Sequence, residues 1–144
     1  MNHVSFLLLL SLGSPTWLTN FQKGKTEAIA SNKLIVLNFS GSDWCGPCIR
    51  LKKEIFESEA FEKYSVEKLV LVNADFPRYK KNQLSKEQAE ENEALAEKYN
   101  PAGRFPFTVL LDPNGKVLKR WDGLPNETPE KFTDEIETFD HAGK

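Results

Sequence analysis

The chain contains two cysteines, and they stand in one short stretch, Trp44-Cys45-Gly46-Pro47-Cys48. That stretch lies directly after the apolar run Leu34 to Phe39. A strand feeding a helix whose first turn carries Cys-x-x-Cys places two sulfurs on one face. The unpaired N–H groups and the dipole at the helix start favour a thiolate there. The chemistry open to such a pair is sulfur exchange, with one of the two as the attacking sulfur. A bridge across so small a loop would add only about 2 kcal/mol of stability, so it reads as chemistry rather than as a staple. Half of a zinc site would need two further ligands, and the histidines, His3 and His141, stand at the two ends of the chain. No metal and no cofactor are therefore expected.

The elements that must position this pair follow from periodicity. Leu18, Phe21, Ala28 and Ile29 fall at helical spacing, which predicts an amphipathic helix over 16–31. Leu34 to Phe39 is nearly all apolar and predicts a central strand buried on both faces. The next helix starts at the motif, turns Leu51, Ile55 and Phe56 inward, and continues or restarts near Ser58 to Tyr64. Leu69 to Ala74 predicts a second buried strand ending at Asp75. Ser85 and Gln88 have the spacing of a capping box, opening a helix to about Tyr99 that Asn100-Pro101 ends. Phe107 to Leu111 and Val117 to Trp121, joined by Pro113-Asn114-Gly115, predict a hairpin. Thr128 and Pro129 open a last helix with Phe132, Ile136 and Phe139 in one stripe.

Composition bounds the partners. With 144 residues, 19 basic and 21 acidic side chains and a net charge of −2, the chain suits one domain and offers no broad attraction to nucleic acid or to an anionic membrane. Phe6 to Leu12 is a short leucine-rich run in the place of a secretory h-region. Residues 1–14 thus read as an export signal, with an apolar N-terminal tail as the alternative. The expected location is periplasmic or otherwise exported, and cytoplasmic if the run is not a signal.

The chain resembles the thioredoxin superfamily. The likeness rests on Trp44-Cys45-Gly46-Pro47-Cys48, on Phe105-Pro106 just before the third apolar strand, and on the order of elements from about Thr16 to Phe139. Within the superfamily it is most similar to exported bacterial thioredoxin-like proteins with a Ser-Gly-Ser-Asp-Trp-Cys segment, here Ser40 to Cys45. The resemblance implies an α/β thioredoxin-like fold over residues 15–144, a central mixed β-sheet flanked by helices with a C-terminal β-hairpin and closing helix. It implies a thiol-disulfide oxidoreductase, a monomer that reduces protein disulfides and draws electrons from a membrane or thioredoxin-type donor.

In that frame Cys45, ahead of the helix with Gly46 and Pro47 leaving its sulfur uncovered, is expected to be the nucleophile. Cys48, deeper on the same face, is expected to resolve the mixed disulfide. The two form the redox-active disulfide. The superfamily places a cis-proline opposite the motif, which implies that Phe105-Pro106 offers backbone to an extended substrate. Trp44 is expected to cover the pair and to contact substrate, with a plain core aromatic as the alternative. Asp43 is expected either to cap the helix or to place charge near Cys45. Typical thioredoxins carry a buried acid beneath the cysteines and a lysine beside it; Asn38 and Leu71 stand in those places here. An amide cannot accept a proton at neutral pH, so water is left to take it. The cationic run over 76–86, with Arg78, Lys80, Lys81 and Lys86, reads either as a solvated surface or as a substrate-contacting loop. Two other functions use the same residues: a disulfide oxidase or isomerase, and a non-catalytic binding module.

Overall fold

The computed structural model describes residues 13–142. The apolar run Phe6 to Leu12 lies outside the described residues. The chain builds one five-stranded sheet in the order β1-β3-β2-β4-β5, from β1 (Trp17–Leu18), β2 (Leu34–Ser40), β3 (Leu69–Asp75), β4 (Phe107–Leu111) and β5 (Val117–Asp122). β1, β3 and β2 are parallel; β4 runs antiparallel to β2 and β5 antiparallel to β4. Among the described residues, five α-helices flank it: α1 (Phe21–Ser31), α2 (Gly46–Leu51), α3 (Glu59–Lys68), α4 (Lys86–Tyr99) and α5 (Pro129–Ala142).

Every residue of β2 is buried, as its nearly unbroken apolar run requires. Its alternate side chains feed two separate cores. Ile35, Leu37 and Phe39 join Val70, Val72, Val109 and Leu111 beneath Ala28 of α1 and Leu95 and Tyr99 of α4. Val36 joins Leu71, Leu110 and Trp121 beneath Leu51, Phe61, Phe132 and Ile136 from the helices of the other face. Fully covering each such Phe, Ile or Leu stabilises the fold by about 1.5–3 kcal/mol relative to leaving it in water.

The helix expected over 16–31 is shorter and preceded by a strand. Asn20 Oδ1 accepts from Lys23 N at 2.9 Å and starts the helix at Phe21. Before it, Trp17 and Leu18 pair with Leu71 and Val72. Their side chains go to opposite faces, Trp17 onto Phe56 and Leu18 into the other core. A two-residue alternation of that kind belongs to a strand. Ile29, expected on the inner face, is 58% exposed, because Gly24 and Ala28 are the positions at which α1 meets the sheet.

The motif helix gives way to a π-helical turn over Lys52–Phe56, and that wider turn brings Ile55 and Phe56 together into the core. Ser58 Oγ then accepts from Phe61 N at 3.2 Å, opening α3, which runs to Lys68 and so beyond Tyr64. Only half of the capping box forms at α4. Ser85 Oγ accepts from Gln88 N, but the Gln88 amide donates to Thr19 O and to Asn92 Oδ1.

Candidate redox site

Three segments meet at one end of the sheet. The parallel pairing of Ser40 with Asp75 and the antiparallel pairing of Phe39 with Phe107 set the exits of β2 and β3 beside the entry of β4. The motif follows β2, the cationic loop follows β3, and Pro106 precedes β4. This topology explains why residues from 41 to 106 share one surface.

Cys45 and Cys48 are joined in a disulfide, with Cα atoms 5.2 Å apart. Cys45 is itself the N-cap of α2: its Sγ accepts from Cys48 N at 3.2 Å. Pro47 sits in the first turn, where a missing N–H costs no helical bond. Asp43, a possible cap from sequence, turns away from the helix. The expected difference in depth between the sulfurs is absent in this form, since Cys45 is 5% and Cys48 4% exposed. Both cysteines are buried while Gly46 and Pro47 are exposed, so the uncovered Cys45 expected from the sequence is not what the disulfide form shows. What separates the two is their donors: Cys45 Sγ faces the helix amide, and Cys48 Sγ accepts from Gly41 N at 3.5 Å. Joined to each other, neither sulfur is free to ligate a metal in this form.

Gly41 is a site residue that motif reading missed. Its carbonyl accepts from Trp44 N and Cys45 N, and a Cβ there would run into the Trp44 indole. The half-buried indole is held by its own contacts: Nε1 donates to Phe76 O at 2.7 Å, and the ring meets Phe105 edge-on at 5.4 Å. Trp44 is thus the physical link between the motif and Phe105-Pro106, whose peptide bond is cis. Pro106 O accepts from Gly123 N, fastening that turn to the end of β5. Asp75 was also missed. Its carboxylate accepts from Ser42 N, Ser42 Oγ and Phe76 N, and so ties the motif loop to the end of β3. No local spacing signals a partner 33 residues away.

Beneath α2, three polar side chains cross the sheet in a row. Asn38 Nδ2 donates to Asn73 Oδ1 at 3.0 Å, and Thr108 Oγ1 donates to Asn38 Oδ1 at 3.1 Å. Asn38 and Asn73 line a cavity of about 420 Å³ together with Cys48, Ser40, Lys52 and Trp17. The strand neighbour of Asn38 is Asn73; Leu71, singled out from sequence, pairs with Val36 and is 2% exposed in the core. Two amides therefore occupy the floor behind Cys48.

The family model for the thioredoxin-like domain matches residues 21–140. The chain belongs to that family. Among thioredoxin-like relatives, it is 39% identical over 89 residues to the disulfide bond reductase DsbH of Chlamydia pneumoniae, covering 62% of this chain and 52% of that protein. It is 28% identical over 142 residues to the thioredoxin-related protein DsbJ of the same organism, covering 90% of this chain and 40% of that protein. The chain thus spans about half or less of the length of these curated relatives. The solved structure of a DsbH oxidoreductase superposes with a TM-score of 0.80 at 25% identity, covering 96% of this chain and 92% of that one. The α/β architecture expected from the sequence, a mixed sheet flanked by helices with a C-terminal hairpin and closing helix, is the one observed.

Proposed function

We propose that the protein is a thiol-disulfide oxidoreductase that reduces disulfides in client proteins, with Cys45 as nucleophile and Cys48 as resolving thiol. The observation that carries this reading is the disulfide at the start of α2 in which Cys45 Sγ accepts the Cys48 amide at 3.2 Å. After reduction that N–H and the helix dipole stabilise negative charge on Cys45. Its likeness to a disulfide bond reductase supports the direction of electron flow.

In the cycle, the Cys45 thiolate attacks one sulfur of a client disulfide and the other client sulfur leaves as a thiolate. Cys48, on losing its proton, attacks Cys45 Sγ in the mixed disulfide. The Cys45–Cys48 bond forms, the second client sulfur leaves, and two electrons have passed to the client. The proton from Cys48 goes to water in the adjoining cavity, since the Asn38 and Asn73 amides cannot take it. Trp44, Gly46, Pro47 and Phe105 form the surface on which the client lies, and Pro106, itself buried behind a cis bond, contributes by setting the backbone of Phe105 beside it. A membrane or thioredoxin-type dithiol donor returns the pair to its reduced form, and the protein works in an exported compartment.

Trapping tests the assigned roles. Cys48→Ser is expected to accumulate mixed disulfides with client proteins through Cys45, visible on non-reducing gels and released by dithiothreitol. Cys45→Ser should accumulate few or none. Equal trapping by both variants would overturn the assignment.

A further inference from the structure

The loop between β3 and α4 is fastened to the redox motif at three points. Trp44 Nε1 donates to Phe76 O, and the Arg78 guanidinium lies over the Trp44 ring, 3.7 Å from its centroid. The Asp43 carboxylate accepts from Arg78 N and Tyr79 N, both at 2.9 Å, and from Asn82 Nδ2 at 3.0 Å. Burial opposes ionisation of Asp43, but these three hydrogen bonds outweigh it and hold the carboxyl below its ordinary pKa. The clamp is therefore charged at neutral pH. It fixes the main chain of the loop while Arg78, Tyr79, Lys80 and Lys81 remain exposed, Tyr79 by 55%. Among the described residues, none of the three cations has a carboxylate within ion-pair distance, and the acidic residues of α4 form no pair with them. A merely solvated loop would leave cations exposed too, but it would not need its backbone tied to the residue before Trp44.

We infer that residues 78–81 form a cationic platform that docks an acidic stretch of client polypeptide next to the disulfide being reduced. The inference rests on the oxidoreductase reading of Cys45 and Cys48. Trp44 meets Phe105 in an edge-to-face contact and has Arg78 on its face. A chain lying along Phe105-Pro106 with a sulfur at Cys45 and continuing across the indole reaches Arg78. Stacking on the indole occupies the face of the guanidinium and leaves its N–H edge free to grip a carboxylate with two bonds. Lys80 and Lys81 add point charges, and the Tyr79 ring adds an apolar contact. Because the whole chain carries a net charge of −2, the attraction is local. It acts over about a Debye length, roughly 8 Å at physiological salt, and selects by the residues flanking the disulfide.

The test uses two synthetic peptides with the same disulfide ring, one flanked by glutamates and one by lysines, and the neutral disulfide of mercaptoethanol. Single-turnover oxidation of the reduced full-length protein is followed at low and at high salt. The glutamate peptide is expected to react about tenfold faster than the lysine peptide at low salt, with the ratio falling towards one as salt rises. The double variant Lys80→Glu, Lys81→Glu should invert the preference. Equal rates for the two peptides, a preference for the lysine peptide, or a preference unchanged in the double variant would overturn the platform and leave the redox reading standing. Failure to reduce either peptide and the neutral disulfide would overturn the redox reading and the platform with it.

Discussion

Cys45 caps its own helix, so the atom that would carry negative charge in the reduced state already faces a backbone donor. Nothing has to move far to stabilise it. That much was legible in the sequence, because residue type and the strand-helix context specify the chemistry. The support around it was not: Gly41 works through the space it leaves for Trp44, and Asp75 and Asp43 act through partners more than thirty residues away. Asn38 gives a prediction at this scale. Asn38→Asp replaces an amide that donates to Asn73 with a carboxylate that cannot donate when ionised. Burial raises the pKa of the new carboxyl above its unfolded value, so the destabilisation grows as pH rises from the unfolded to the folded pKa and is absent below both. A loss of about 1–3 kcal/mol is expected at neutral pH, shrinking in acid, by denaturant unfolding. The pH profile of disulfide reduction should change as a proton acceptor is placed on the cavity wall. Identical profiles for the two proteins would contradict proton transfer through that cavity.

Elements with apolar runs were readable: β2, β3 and β4 lie within one residue of their expected bounds, since burial on both faces demands hydrophobicity at nearly every position, with Asn38, Asn73 and Thr108 pairing among themselves as the exceptions. β1 escaped because two residues give no period, and their strand character comes wholly from pairing with β3. The π-helical turn escaped for a related reason, the inward set Leu51, Ile55 and Phe56 being compatible with either helix type. α1 offers the test at this scale. A Cβ on Gly24 would come within 2.7 Å of Val72 Cγ2, and Val72 is fully buried. Ala in place of Gly favours a helix by about 1 kcal/mol, while overpacking a core costs about 1–3 kcal/mol. Because Val72 sits in the middle of the sheet, overpacking wins. Gly24→Ala is expected to lower stability by up to about 2 kcal/mol in chemical denaturation, and a gain would show that α1 can lift from the sheet without cost.

At the scale of the whole molecule, the parallel and antiparallel halves of the sheet bring the motif, the cationic loop and Phe105-Pro106 to one end, and a core packs each face of that sheet. The family was legible from sequence because motif, cis-proline position and element order agree with one another. The direction of electron flow is not written in any one residue, since it depends on the balance of stability between dithiol and disulfide across the whole domain. The most direct measurement is the equilibrium of the Cys45/Cys48 pair with a glutathione buffer, read by alkylation and mass. A potential near that of thioredoxin, about −270 mV, is the expected result for a reductant. A potential near that of a strong disulfide-forming oxidant, about −120 mV, would contradict it.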